Sequence, residues 1–173
     1  PDLEIVYSED PKNVPYGDKT PERLLELVIP KLQELEKAGC EVIVVACNTV
    51  TTTIIKEVRQ QIGVPIVAIE PMVKPACEQT KSNIIAMCAT PATLRSPRYK
   101  ELLEINAGNV RVLEPDCSDW SYLIENNEYN NDVIEDRIVK VCEQGADVIV
   151  LGCTHYHWIE EEIKQIADRY NAM

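Results

Sequence analysis

The 173-residue sequence contains no phenylalanine, two histidines and six glycines, and none of its seven cysteines stand in C-x-x-C spacing. A structural zinc site needs four ligands. His155 and His157 stand two apart but are the only histidines, so no metal site is expected. Gly39 and Gly63 are isolated, no G-x-G-x-x-G run occurs and no lysine has a pyridoxal-binding context, which leaves no sign of a cofactor. Basic charge is also scarce: 17 Lys and Arg stand against 29 Asp and Glu, a net charge of −12. A surface this acidic repels phosphate backbones and anionic lipid, excluding nucleic acid and membrane as general partners. No apolar run approaches the ~18 residues of a membrane span, and no charged-then-apolar leader precedes the first elements, so neither a span nor a signal peptide is expected. An odd set of unpaired cysteines fits free thiols in a reducing, cytoplasmic compartment.

What is present is ordinary globular usage, 45% apolar and 27% charged. A chain of this length should bury roughly 70% of its unfolded surface, enough to fold without staples. Strand-like and helix-like segments alternate almost throughout. Leu3–Tyr7 reads as a short strand. Thr20-Pro21 is an N-cap with proline at the first helical position, and Leu24, Val28, Leu32 and Leu35 repeat at helical spacing until Gly39. Pro30 inside that pattern should kink or split the helix. Val42–Ala46, Val64–Ile69, Ile84–Cys88, Val110–Leu113 and Val148–Leu151 read as strands. Thr51–Ile62, Ser96–Ala107, Asp132–Gln144 and His157–Tyr170 read as helices. Pro71–Lys81 reads as a connector with a short helix, and Asp116–Glu128 as irregular. This alternation predicts an α/β chain with doubly wound parallel sheets.

An internal repeat carries most of the functional information. Gly39-Cys-Glu-Val-Ile-Val-Val-Ala-Cys47 aligns with Gly145-Ala-Asp-Val-Ile-Val-Leu-Gly-Cys153, identical at Gly, Val, Ile, Val and Cys. Each copy follows an amphipathic helix and is followed by small polar residues. Both cysteines therefore stand where a buried parallel strand ends and a helix is about to begin, the crevice side of an open α/β sheet. Backbone N–H groups of a following helix favour an anion there and can activate a thiol. Two such thiols on opposite sides of one carbon would suit a two-base proton transfer, one removing the α-proton and the other returning a proton to the opposite face. Cys40, Cys77, Cys88, Cys117 and Cys142 read as packing residues.

At these residues the sequence resembles a known family. Ala46-Cys47-Asn48-Thr49-Val50-Thr51 and Leu151-Gly152-Cys153-Thr154-His155-Tyr156 resemble the two signature motifs of the cofactor-independent aspartate/glutamate racemases, most closely those acting on glutamate. Val14-Pro15-Tyr16-Gly17, Ile69-Glu70-Pro71 with Lys74-Pro75-Ala76, and Thr90-Pro91-Ala92-Thr93 with Ser96 and Tyr99 resemble further family segments. The resemblance implies two pseudo-symmetric half-domains with the active site in the cleft between them. It implies that Cys47 acts on the D-enantiomer and Cys153 on the L-enantiomer, with His155 assisting Cys153 and Asp10 and Glu125 tuning the site. Pro15, Tyr16, Gly17, Asn48, Thr49, Thr90, Thr93 and Thr154 would hold the substrate, glutamate. No cofactor or metal is implied, and a homodimer is a family-level expectation.

Without the resemblance, Asp10 reads as a turn residue, Glu125 as a loop acid and Tyr16-Gly17 as a turn signal. Trp120 and Trp158 read as packing residues, and Glu160–Glu162 as a solvated first helical turn. The expected division is 1–72 for a first half-domain and 73–173 for a second. The family's upstream Asp-Ser-Gly strand end and its C-terminal return segment have no counterpart in the sequence, and His157 stands where the family usually has proline. The sequence reading leaves two alternatives open. One is racemisation of aspartate or a related amino acid. The other is a non-catalytic amino-acid-binding homologue or an incomplete chain lacking the upstream Asp.

Overall fold

A computed structural model describes residues 3–173 and contains two parallel sheets, each built by strand-to-helix crossovers. The first sheet pairs β1 (Ile43–Val45) with β2 (Ile66–Ala68), placing Ile43 opposite Ile66 and Val45 opposite Ala68. Its helices are α1 (Pro21–Lys37) and α2 (Asn48–Arg59). Thr20 caps α1 as the sequence predicts, its side chain accepting from the Arg23 N–H. Leu24, Val28, Ile29 and Leu32 of α1 and Val50, Ile54, Ile55 and Val58 of α2 pack on Ile43 and Val45. Burying each such side chain contributes about 1.5–3 kcal/mol. The alternate residues Val44 and Val67 face away and are 65% and 56% exposed.

The second sheet has the order β4-β3-β5, with β3 (Ile84–Cys88) between β4 (Arg111–Leu113) and β5 (Val148–Leu151). One face packs on α3 (Val73–Gln79) and α5 (Pro97–Asn106), burying Val73, Ala76, Ile85, Tyr99 and Val150. The other packs on α7 (Asn131–Glu143), where Val141 meets Ala86 and Leu113. Helices on both faces explain why β3 is apolar along its whole length rather than alternating. Because β3 is flanked by strands reached through separate crossovers, the carboxyl ends of all three open on one crevice. The described chain ends with Met173 bonded to Asp147 and Ile149 along the outer edge of β5.

Four local expectations are corrected. Leu3–Tyr7 is not a strand: it is irregular and exposed, and no strand pairs with it among the described residues, while the expected first half's Pro1 and Asp2 lie outside them. Pro30 does not break α1, because it lies on the exposed face, where water can satisfy the carbonyl it leaves unpaired. Within Asp116–Glu128, Trp120–Glu125 forms a helix, α6, whose Trp120, Leu123 and Ile124 have helical spacing that the polar surroundings masked. Trp120 is buried edge-on against Tyr156, but Trp158 is 80% exposed and packs in no core.

The two sheets meet along a buried seam. A short helix, α4 (Pro91–Arg95), follows β3, capped by Thr90 through the Thr93 N–H. Its Ala92 N–H donates to the Gly17 carbonyl at 3.1 Å. A side chain at Gly17 would have no room, since a Cβ there would lie 2.8 Å from both Cβ and Cγ2 of Thr90. Gly17→Ala should therefore push the seam apart and cost about 1–3 kcal/mol, the usual range for overpacking. Gly63→Ala, where a Cβ meets only the flexible end of Glu36, should be close to neutral. Thermal unfolding of the two variants checks this, and a Gly17→Ala as stable as the parent would refute it.

Candidate active site

Cys47 occupies the turn from β1 into α2, partly buried at the seam. Burial pushes its thiol up to about 11; the Val50 N–H opposes that shift, the nearby Cys153 charge adds to it, and the Thr49 N–H again opposes it. The helix N-terminus thus softens a burial penalty without closing a cap hydrogen bond on the sulfur. The Cys153 contribution places the two sulfurs within electrostatic reach of each other.

Cys153 occupies the matching turn after β5, before a 3₁₀ turn at Thr154–Ile159 and helix α8 (Glu160–Asp168). It is buried, with Sγ 3.8 Å from His155 Nδ1. The far ring nitrogen of His155, Nε2, lies 3.0 Å from Glu125 Oε2 at the end of α6. Contact with Cys153 chiefly raises the His155 pKa above its ordinary value; burial opposes this, and Glu125 adds to it. Glu125 is thus a helical residue anchoring an imidazole, not a loop acid. His157 points elsewhere and pairs with Glu160 at 2.9 Å on the surface.

Where α2 meets α4, a cluster of hydroxyls joins the two sheets. Thr49 Oγ1 from α2 is 2.9 Å from Thr90 Oγ1 and 3.4 Å from Thr93 Oγ1, and Thr90 and Thr93 are 3.1 Å apart. All three are buried, as is Asn48, whose Oδ1 has no hydrogen-bond partner among the described residues. An orphaned buried acceptor is costly, and beside a crevice it is suited to receive a donor such as an ammonium group. Half-buried Tyr16 donates its hydroxyl to Asp10 at 2.7 Å, and Asn13 donates to the same carboxylate at 2.9 Å. Burial alone would raise the Asp10 pKa, but these two bonds, with Lys31 and Lys19 near, hold it below the ordinary value. Asp10 contacts Tyr16 and makes no hydrogen bond to Cys47. Pro15 offers its carbonyl to Lys19, and the Thr154 side chain makes no hydrogen bond among the described residues.

Two features escaped the sequence reading. Arg98 forms a two-pronged pair with Glu70, at 2.6 and 2.9 Å, tying the segment after β2 to α5. Ser121, on α6, lies 3.6 Å from the Cys153 sulfur. Thr90-Pro91 has the same cap-then-proline form as Thr20-Pro21 and could have revealed α4; no local signal ties Ser121 to Cys153.

The arrangement can hold a small anion among hydroxyls and N–H groups and move protons at two sulfurs. Comparisons with known proteins bear on the family to which this chain belongs. Residues 5–169 match the family model described as Asp/Glu/Hydantoin racemase. The glutamate racemase of Ralstonia nicotianae is 34% identical over 167 residues, covering 94% of this chain and 60% of the relative. That of Herpetosiphon aurantiacus is 34% identical over 171 residues, covering 96% of this chain and 67% of the relative. Escherichia coli glutamate racemase, solved with L-glutamate and the activator UDP-MurNAc-Ala, superposes with a TM-score of 0.80 at 25% identity over 90% of this chain and 61% of that one. The Aquifex pyrophilus enzyme superposes with a TM-score of 0.67 at 31% identity, covering 89% and 62% of the two chains. This chain thus spans about 60–67% of the length of these curated relatives. With its two-sheet α/β fold and a match over nearly its whole length, the chain belongs to the Asp/Glu/hydantoin racemase family.

Proposed function

We propose that the segments 1–72 and 73–173 act as two half-domains whose cleft racemises glutamate without a cofactor, using Cys47 and Cys153 as the acid/base pair. The observation that carries this reading is the two thiols at equivalent strand ends of two sheets, each at the start of the following helical segment, with the sheets joined by a buried hydroxyl cluster. In the L-to-D direction the Cys153 thiolate takes the α-proton, and the Cys47 thiol delivers a proton to the opposite face; in the reverse direction the roles exchange. His155, anchored by Glu125, supports Cys153, and Asp10 acts through Tyr16. Hydroxyls of Thr49, Thr90 and Thr93 and the Asn48 amide offer partners to the carboxylates and the ammonium group, with Gly17 keeping the seam tight. Tyr16, Pro15 and Thr154 border the same opening. The elevated Cys47 pKa suits its role as the thiol that delivers a proton in the L-to-D direction. In this reading the protein works in the cytoplasm, where D-glutamate supplies peptidoglycan precursors, and a homodimer is compatible with it.

The test is α-proton exchange in D₂O with L- and with D-glutamate, and with aspartate in parallel. Glutamate should exchange and interconvert faster than aspartate. Cys47→Ser and Cys153→Ser should each lower turnover by about 10²–10⁴-fold, the size of a lost acid/base group. Exchange retained in both variants would refute the two-thiol mechanism, and absence of any exchange would refute the racemase reading.

A pH dependence follows from Cys47. Its folded pKa, about 11, lies above the ordinary 9.0, so the folded state holds that proton more tightly. The associated stability is complete below pH 9.0 and is lost as pH rises towards about 11. Unfolding curves of the parent and Cys47→Ser should converge across that window, and a constant difference would contradict the assignment.

A further inference from the structure

We infer that Ser121 is a positioning residue for Cys153, its hydroxyl holding the sulfur in both protonation states; the inference rests on the racemase reading of Cys153. Ser121 is 4% exposed and its Oγ lies 3.6 Å from Cys153 Sγ, closer than the 3.8 Å of His155 Nδ1. A hydroxyl buried this deeply needs a partner, and the sulfur supplies one. The neighbouring Tyr156 hydroxyl donates to the Cys117 carbonyl at 2.9 Å and keeps lone pairs that can accept from Ser121, so its oxygen competes with the Cys153 sulfur for the Ser121 hydrogen.

The placement comes from one short helix. Ser121 and Glu125 are four residues apart on α6 and therefore lie on the same face, one turn apart. That face meets the sulfur through Ser121 and the imidazole through Glu125. The pairs at the sulfur thus share one support, which is braced from behind by Trp120 against Tyr156 and by the Arg137–Asp119 ion pair.

Chemistry explains why a hydroxyl suits this position. The Cys153 sulfur must alternate between thiol and thiolate during racemisation. Facing a thiolate, Ser121 donates its hydrogen; facing a thiol, it rotates and accepts the S–H. His155 can make the same exchange only by changing its own protonation or tautomer. Ser121 therefore keeps one contact on the sulfur throughout the cycle at no cost in charge. The thiolate is the reactive form of a cysteine, so loss of the donor should slow any reaction that requires it.

The experiment follows Cys153 alkylation by iodoacetamide near neutral pH, resolved from the other six cysteines by peptide mass spectrometry, in the full chain. Ser121→Ala and Ser121→Val should slow Cys153 by about tenfold, as expected for losing a hydrogen bond to a charged group. Ser121→Thr, matched to valine in shape but carrying the hydroxyl, should stay within about twofold of the parent by the same reasoning. Cys40, partly exposed and packed with the first sheet, serves as the internal control, and its alkylation should not change. Cys153 alkylation in Ser121→Ala at or above the parental rate would overturn the inference, as would a Thr variant as slow as the Val variant. This readout needs no turnover, so a chain that fails to exchange refutes the racemase reading while leaving the Ser121 contact separately tested. Where exchange is present, Ser121→Ala should lower kcat with little change in KM and enlarge the isotope effect for α-deuterated L-glutamate more than for its D-enantiomer. Equal isotope effects would overturn the link to Cys153.

Discussion

Two separate parallel sheets can address one small molecule only if their carboxyl edges are held face to face, and in this chain a buried knot of threonine hydroxyls holds them. Thr49 comes from the helix after β1, and Thr90 and Thr93 come from the turn after β3. Each hydroxyl both donates and accepts, so the three satisfy one another across the seam in a place where unpaired polar atoms would be costly. Gly17 lets backbone approach this knot closely, and the Glu70–Arg98 pair fastens the same seam from the side. If the knot opened, the two strand ends that carry Cys47 and Cys153 would lose their link.

Electrostatics at the crevice run against the character of the whole molecule. The chain carries a net charge of −12, yet the crevice offers hydroxyls, helix N–H groups and a histidine whose pKa is raised. Local, preorganised dipoles therefore have to outweigh a repulsive long-range field, which is feasible because the field is screened over about 10 Å while the dipoles act at contact. The thiols show the same balance. Burial keeps Cys47 protonated, and the neighbouring sulfur disfavours a second negative charge. Both effects hold Cys47 in its neutral thiol form.

Much of the fold was legible in the sequence because local rules governed it. Thr20-Pro21 marks where α1 begins, and the β-branched runs at Ile43–Val45 and Val148–Leu151 mark strands buried by helices. The duplicated Gly-to-Cys pattern located both thiols at strand ends. Where local rules misled, a tertiary cause is visible. Leu3–Tyr7 has strand composition but no pairing partner among the described residues. Pro30 is tolerated because its face of α1 is wet. Trp120 and Trp158 are the same residue type, but only the first has Tyr156 to pack against.

The sequence by itself determined the α/β alternation, the parallel strands and the two cysteine-ended turns, because these depend on periodicity, capping and side-chain branching within a few residues. Local rules determined none of the contacts at the second thiol, where only the family resemblance pointed to His155 and Glu125. Glu125 and His155 are 30 positions apart, and Ser121 and Cys153 are 32 apart. No local preference distinguishes Glu125 from Glu128, or Ser121 from Ser118. Only the packing of α6 against the end of β5, driven by burying Trp120 and Tyr156, selects which acid reaches the imidazole and which hydroxyl reaches the sulfur.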